Sequence, residues 1–370
     1  MYGMRLSLSL VLLFGTVSFS AAVAAEKTWN RVAAARYLDE RASLWMERSR
    51  PRQKLEQACV SCHTGMPYLL SRAAIDGSLS APAREFFTDV EARVTGWKDA
   101  RVWYDVSRGA EKPDQSRGTE SVLNALVLSL RDQRASGALS GEAKLALDHM
   151  WAEQKDDGKW SWLHFGLGPW ESDGSEFWGA SLAAVAAMSL RDEVTPPADG
   201  LARLRRYLRG GLSGETSLHN WVSLLWAAST WDGLLSESEV SRLAGAVLEQ
   251  QRADGGFRLV DLAPWPSKDG SAPHQESDGY ATAFSTFVLQ QLDEARYATA
   301  IARGVSWLQQ NQEADGRWET LSPNKDRSKE EAFTRLLASD AATAFAVLVL
   351  SAADSALDRA TDSNAGGRVQ

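Results

Sequence analysis

The sequence predicts an all-α protein that forms a single α/α toroid of about six helix pairs. Three observations lead to this prediction. Helices that are apolar on nearly every face alternate along the chain with amphipathic helices. One turn, with Gln, Gly and an aromatic residue at relative positions 0, 4 and 6, occurs three times. No segment shows a convincing alternation of apolar and polar residues of the kind that marks a half-buried strand.

The helix pairs follow one another without an evident linker. In each pair we expect the amphipathic helix on the outside of the ring and the apolar helix on the inside. The predicted pairs are 31–49 with 56–75, 82–100 with 117–132, 141–155 with 176–190, 199–209 with 217–231, 236–251 with 277–292, and 296–312 with 338–352. Residues 26–115 are thus continuous with the repeats of 116–353, and 354–370 is expected to be a loose tail.

The recurrent turns are Gln154–Trp160, Gln251–Phe257 and Gln312–Trp318. Each follows a predicted helix. The Asp-Gly pair supplies the left-handed residue that ends this helix, and the aromatic side chain is expected to fold onto the neighbouring repeat.

The first 25 residues have the features of an export signal. Arg5 precedes an almost wholly apolar stretch, 6–19, and Ala22-Val-Ala24 provides small residues for cleavage near Ala24 or Ala25. This stretch is too short to favour a permanent membrane span, although an uncleaved anchor is the alternative. We therefore expect an exported, periplasmic protein.

Composition narrows the class of partner. The 370 residues include 40 basic and 48 acidic ones, so the net charge is −8, and 44% are hydrophobic, as in ordinary globular proteins. Without a basic surface, nucleic acid is not an expected partner. The 15 tryptophans indicate stacking in the structure, an aromatic-lined pocket, or both.

The Gln-x-x-Asp-Gly-x-Trp turns resemble the repeats of the squalene–hopene cyclase and protein prenyltransferase superfamily. The whole chain resembles an exported bacterial subgroup in which a Cys-x-x-Cys-His motif precedes the toroid. The resemblance implies the α/α toroid fold. It does not carry over the activity, because the Asp-x-Asp-Asp of the cyclases is absent and the only cysteines lie outside the matching repeats.

Cys59-Val-Ser-Cys62-His63 is the attachment signature for c-type haem. The two thiols would form thioethers with the porphyrin, and His63 would be the proximal iron ligand. Met66 lies too close to His63 to bind the opposite side of the iron. A Cys59–Cys62 disulfide or a free redox dithiol is the alternative.

Acidic residues and histidines cluster where the predicted inner helices begin, and these starts should meet at one mouth of the toroid. The cluster comprises Glu120, Glu171, Asp173, Glu176, His219, Glu276, Asp278 and Asp340, with His274 nearby. From it we select Glu176, His219, His274 and Asp278 as candidate catalytic residues for general acid–base chemistry. The alternative is that each of them only caps a helix.

Aromatic residues could line a pocket at the same mouth. The predicted pocket consists of His164, Trp170, Trp178, Trp221, Tyr280 and Asp340. Packing between neighbouring repeats is the alternative.

These features lead to one main functional hypothesis. The protein would be an exported haem c protein that binds or oxidises an apolar, isoprenoid-like molecule in the toroid and exchanges electrons with a partner. The alternatives are a haem-free cyclase or lyase-type enzyme, a sugar-binding toroid with an acidic, Trp-lined mouth, and a non-catalytic scaffold. The sequence leaves open whether the toroid is catalytic at all.

Overall fold

The computed structural model describes residues 28–50, 57–213 and 216–366, with the backbone alone for 360–366. Six outer helices alternate with six inner helices in this part of the chain. The outer helices are α1 (Arg31–Ser49), α3 (Ala81–Thr95), α5 (Gly141–Ala152), α7 (Ala198–Gly210), α9 (Glu237–Leu248) and α12 (Ala298–Gln310). The inner helices are α2 (Gly65–Ser71), α4 (Lys112–Ala135), α6 (Ser175–Met188), α8 (Leu218–Thr230), α11 (Gly279–Asp293) and α14 (Leu337–Gly366). Two one-turn helices, α10 (Leu259–Leu262) and α13 (Ala332–Arg335), lie in connections.

The inner helices form a closed ring. In chain order each packs on the next, from α2 through α4, α6, α8 and α11 to α14, and α14 packs back on α2. Hydrophobicity explains the two layers. Every residue of α6 from Phe177 to Met188 is buried, whereas α7 buries only Gly200, Leu204 and Leu208, which form one stripe. The predicted single α/α toroid of six helix pairs is confirmed.

The three recurrent turns bind the outer helices α5, α9 and α12 to the next outer helix of the ring. The Nε2 group of Gln154 donates to the carbonyl oxygens of Gly158 (3.1 Å) and Gly200 (3.0 Å), the latter on α7. Gln251 makes the same two bonds to Gly255 and to Ala300 of α12, each 2.9 Å long. One side-chain amide therefore donates hydrogen bonds both to a carbonyl oxygen of its own turn and to a carbonyl oxygen of the next outer helix.

The third turn closes the ring. Gln312 donates to the carbonyl oxygens of Gly316 (3.0 Å) and Asn30 (3.1 Å), which immediately precedes α1. Beside it, the Nε1 group of Trp29 donates to Asp354 of α14 (2.8 Å). The last repeat thus packs on the first outer helix as the earlier repeats pack on their successors.

The interior of the ring is filled rather than hollow. Tyr280 stacks on Phe284 with ring centroids 5.6 Å apart, and Phe345 of α14 lies 5.0 Å from Phe284. Trp226 of α8 lies edge-on to Phe287, at 5.2 Å. These apolar side chains occupy the space in which we expected an isoprenoid-like molecule.

The structure differs from the prediction at both ends of the ring. The helix predicted over 56–75 begins only at Gly65, because Cys59–Thr64 form an irregular segment and a turn. The tail expected to be loose from residue 354 continues α14 to Gly366. In the described residues, 337–359 is long and apolar enough for a membrane span, but it is mostly buried in the ring. The predicted signal peptide lies outside the described residues.

Candidate functional site

Two connected cavities open at the end of the ring where the inner helices begin. The outer groove has a volume of about 450 Å³ and lies between the connection 271–274 and the segment 319–335. The inner pocket, of about 70 Å³, extends from it to His63, Trp170 and Glu171. Ser322, Arg327 and Arg335 line both cavities. The pair therefore forms one open cleft with a narrow end.

The connection between α5 and α6 places Glu171 in the inner pocket. Leu167 and Glu171 exchange two backbone hydrogen bonds of 2.9 and 2.8 Å, which fold the connection back on itself. Lysines hold it from both sides. Lys112 donates to the carbonyl oxygen of His164, and Lys268 donates to that of Phe165. These bonds fix the backbone that carries Trp170 and Glu171.

The carboxyl group of Glu171 accepts no hydrogen bond from the described residues. Burial raises its pKa to about 7, while the positive charges of Lys112 and Arg327 act in the opposite direction. A carboxyl group with this pKa exchanges its proton near neutral pH, which suits general acid–base chemistry.

Trp170 forms an aromatic wall of the inner pocket. Its Nε1 group donates to the hydroxyl oxygen of Tyr280 (3.0 Å), and its ring lies edge-on to the Tyr280 ring, with centroids 5.0 Å apart. The same hydroxyl lies 2.9 Å from Nε2 of His219, which is buried on α8. Tyr280 and His219 thus hold Trp170 in place from behind.

His63 lies at the narrow end of the inner pocket. Its ring is edge-on to Trp45, with centroids 4.9 Å apart, and its Nδ1 atom lies 2.9 Å from the hydroxyl of Thr64. Burial, together with the nearby charges of Arg41 and Arg327, lowers its pKa to about 3. The imidazole is therefore neutral at physiological pH.

The inner pocket is rich in positive charge. Arg327 donates to Glu330 (2.7 Å), which also binds Lys325. The guanidinium of Arg335, at the end of α13, has no hydrogen-bond or ion-pair partner in the part of the chain that the structure describes. An unpaired guanidinium in a cleft favours an anionic ligand.

The cysteines of the predicted haem motif are packed within the protein in this structure. Cys62 is 2% exposed within the hydrophobic core, and burial raises the pKa of the Cys59 and Cys62 thiols. No group of three or more His, Cys, Asp or Glu residues in 28–50, 57–213 and 216–366 is arranged to hold a metal ion.

Two predicted site residues lie elsewhere, in a lateral groove of about 440 Å³ that Glu176 and His164 help to line. Glu176 lies 3.7 Å from Nζ of Lys159, and Nε2 of His164 lies 2.8 Å from the fully exposed Asp173. The structure therefore separates Glu176 from His219 and Asp278. His274 is exposed and lines the outer groove.

The buried aspartates of the predicted cluster, Asp278 and Asp340, bind neighbouring segments of the ring. Asp278 accepts hydrogen bonds from the backbone of Ala281 (3.0 Å) and Leu259 (2.6 Å) and from the hydroxyl of Thr320 (3.1 Å). Burial raises its pKa to about 6. Asp340 binds Arg41 of α1 through both carboxylate oxygens. Each acts as a cap or clamp, which was the alternative considered for residues at helix starts.

Of the three predicted pocket tryptophans, Trp178 and Trp221 lie away from the cleft. Trp178 is buried behind the pocket and lies edge-on to Trp162, with centroids 5.6 Å apart. Trp221 is half-buried at the periphery, where its Nε1 group donates to the carbonyl oxygen of Gly211 (3.3 Å). Of the predicted aromatic pocket, only Trp170 lines the cleft.

Several lining residues were not selected from the sequence. Glu171 belonged to the acidic cluster but not to the four residues selected as catalytic. Arg327 and Arg335 lie between the last recurrent turn and α14, in a segment with no recognisable motif. Their only signal in the sequence is a run of charged residues, which is usually a solvated surface.

Several solved structures are similar to this chain, and one of them, a polysaccharide lyase, supports the fold. This lyase aligns over 88% of this chain and 98% of its own, with 13% sequence identity and a TM-score of 0.52. A possible member of family GH105 from Klebsiella pneumoniae aligns over 87% and 81%, with 13% identity and a TM-score of 0.38. A glycosyl hydrolase of family 88 from Bacteroides vulgatus aligns over 88% and 92%, with 10% identity and a TM-score of 0.31. No protein family and no curated protein matches the sequence.

These comparisons correct the resemblance drawn from the turns. The assignment to the squalene–hopene cyclase and protein prenyltransferase superfamily is wrong, since the solved structure that shares the fold is a polysaccharide lyase. The expected haem and iron site is not seen in the described residues either. The physical reason is that Gln, Gly and the aromatic residue of each turn serve only to join neighbouring repeats. Such turns indicate a ring and carry no information about its chemistry.

Proposed function

We propose that the protein is a carbohydrate-active enzyme that cleaves an acidic polysaccharide by β-elimination in the cleft. The observation that carries the proposal is Glu171, a carboxyl group with a pKa of about 7 and no hydrogen-bond partner among the described residues, at the closed end of an open groove. Trp170 beside it offers an aromatic face, which suits the apolar face of a sugar ring. The polysaccharide lyase of similar fold is consistent with this substrate class.

The groups in the inner pocket favour elimination over hydrolysis. Glycosidases typically need two carboxyl groups that flank the bond, whereas among the described residues Glu171 is the one carboxylic residue that lines the inner pocket. In elimination, a base takes the proton of the C–H bond next to the sugar carboxylate, the C–O bond of the leaving sugar breaks, and a C=C bond forms between the two carbons. Glu171 would donate its proton to the leaving oxygen. Arg335 would bind the sugar carboxylate and so acidify the adjacent C–H.

The test uses a panel of acidic and neutral polysaccharides with wild type and Glu171→Gln. β-Elimination creates a C=C bond conjugated with a carboxylate, which absorbs in the ultraviolet, whereas hydrolysis creates reducing ends without this absorbance. We expect ultraviolet-absorbing product from an acidic polysaccharide. Loss of the acid in Glu171→Gln should lower kcat by ~10²–10⁴-fold.

Glu176→Gln is the matched control, because Glu176 lies in the lateral groove and was the acid selected from the sequence. Its kcat should stay at the wild-type value. Reducing ends without ultraviolet absorbance would replace elimination by hydrolysis. Equal rates for wild type and Glu171→Gln on every cleaved substrate would reject the cleft as the active site.

A further inference from the structure

The Cys-x-x-Cys-His segment has no part yet in the proposed function, although it places His63 at the end of the inner pocket. The residue after the motif connects it to α14, the inner helix that packs on α2 where the ring closes. The hydroxyl of Thr64 donates to Oδ2 of Asp340 at 2.7 Å. It also lies 2.9 Å from Nδ1 of His63. A chain of hydrogen bonds therefore runs from α14 through Thr64 to the imidazole.

The direction of each hydrogen bond follows from the number of protons available. Asp340 faces four donor groups: Nε and Nη2 of Arg41 at 2.7 and 2.9 Å, the hydroxyl of Tyr37 at 2.8 Å, and Thr64. A carboxylate surrounded in this way only accepts hydrogen bonds. The single hydroxyl proton of Thr64 is therefore used on Asp340, so the Thr64 oxygen must accept from Nδ1–H of His63.

A neutral imidazole with its proton on Nδ1 has a lone pair on Nε2. Nε2 of His63 has no hydrogen-bond partner among the described residues, and the ring lines the inner pocket. Trp45 restrains the ring from the side by an edge-on contact. The tautomer and the orientation of the ring are thus both fixed.

We infer that the motif serves to hold His63 as the acceptor of the inner pocket, with Thr64 and Asp340 as its positioning residues. The inference rests on the proposed function in naming the ligand. There, Nε2 takes the proton from the C–H bond next to the sugar carboxylate, while Nδ1–H stays bonded to Thr64. Burial, Arg41 and Arg327 keep the imidazole neutral in the free protein. The negative charge of the bound sugar carboxylate opposes the effect of the two arginines and so stabilises the imidazolium that forms. Glu171 and His63 then act as donor and acceptor in one cavity.

The tautomer can be measured without any substrate. Long-range ¹H–¹⁵N correlation spectra of histidine-labelled protein distinguish the two neutral tautomers, and five histidines make assignment by single replacement practical. We expect one Nδ1–H tautomer for His63 in the wild type. Thr64→Val removes the acceptor and should give a mixture or the Nε2–H form, and Thr64→Ser should restore Nδ1–H. Thr88→Val is the matched control, because that hydroxyl only bonds to a backbone carbonyl on α3.

Kinetics and mass provide the second readout. On the polysaccharide cleaved by the wild type, Thr64→Val should lower kcat by ~10–100-fold with little change in KM, and Thr64→Ser should recover it. Protein expressed with a haem-maturation system should keep its unmodified mass. An Nε2–H tautomer in the wild type, an unchanged tautomer in Thr64→Val, or covalently attached haem would each overturn the inference. Failure of the proposed function alone would leave the tautomer result intact, so the two failures are distinguishable.

Discussion

At the scale of the residue, Glu171 shows how burial creates a reactive group. Asp278 and Asp340 are less exposed than Glu171, yet both are surrounded by donors. Glu171 has only distant positive charges to oppose the cost of burial. The missing partners, rather than the burial itself, make this carboxyl group available to a ligand.

This environment predicts a pH dependence of stability. The carboxyl group of Glu171 holds its proton up to a pH of about 7 in the folded state and to about 4.5 when unfolded. Between these values the folded state binds more protons, so its contribution to stability is lost as the pH rises from about 4.5 to 7. Glutamine does not titrate, so Glu171→Gln does not lose this contribution as the pH rises. Its free energy of unfolding relative to wild type should increase by about 1–3 kcal/mol over that range.

Urea denaturation of both proteins at several pH values measures this difference, in which the titration of other groups cancels. A difference between the two proteins that does not vary with pH would show that Glu171 is ionised throughout.

The sequence could predict where the cleft lies better than it could predict which residues line the cleft. Clustering of acidic residues at helix starts indicated one mouth of the ring, and Glu171 and Trp170 belonged to the predicted clusters. It could not separate Glu171 from Asp278, because a capping carboxylate and a free one have the same sequence pattern. Arg335 was not predictable, since its unpaired state depends on how segments far apart in the chain are folded together.

At the scale of the element, the recurrent turn combines backbone conformation with close packing. Gly255 has φ of 93°, in the left-handed region that favours glycine. A Cβ atom at this position would collide with the backbone carbonyl of Arg303 on α12. Gly158 and Gly316 repeat this arrangement against α7 and α1. The glycine is therefore required twice, once for its φ and once for the space.

These two requirements can be separated by substitution. Gly233 also has positive φ, 71°, but a Cβ atom there would meet open space. Gly233→Ala should cost about 1–2 kcal/mol, the conformational term alone. Gly255→Ala should cost more, because the backbone of α12 must move as well. Thermal and urea denaturation of the two variants provide the comparison, and equal losses would mean that packing at the turn is loose.

Helix positions were predicted well because the burial pattern of a helix is visible in its own sequence. A helix that is buried all round is apolar on nearly every face, whereas an outer helix has a single apolar stripe, and both patterns are local properties of the sequence. The start of α2 was predicted too early, because Cys59–Thr64 contain apolar residues that are buried without being helical.

At the scale of the whole molecule, Asp340 joins three parts of the ring. Its carboxylate on α14 binds Arg41 and Tyr37 of α1 and Thr64 before α2. Both members of the Asp340–Arg41 pair are buried. Breaking a buried pair leaves the other charge uncompensated, which is strongly destabilising.

Asp340→Asn should therefore lower the free energy of unfolding by about 3–5 kcal/mol. Asp354→Asn provides the control, since Asp354 joins the same two helices through Trp29 and Arg31 but is partly exposed. Its loss should be about 1 kcal/mol. Calorimetry on both variants measures these values, and similar losses would show that the buried pair contributes no more than the surface one.

Ring closure also has a consequence during synthesis and proteolysis. The cleft takes His63 from the first helix pair, Glu171 from the connection within the third pair, and Arg335 from the segment before the last helix. A nascent chain that lacks the final helix, or a chain cut between two pairs, cannot bring these side chains together. The cleft therefore forms only when the ring is complete. A fragment released by a protease lacks at least one of its lining segments.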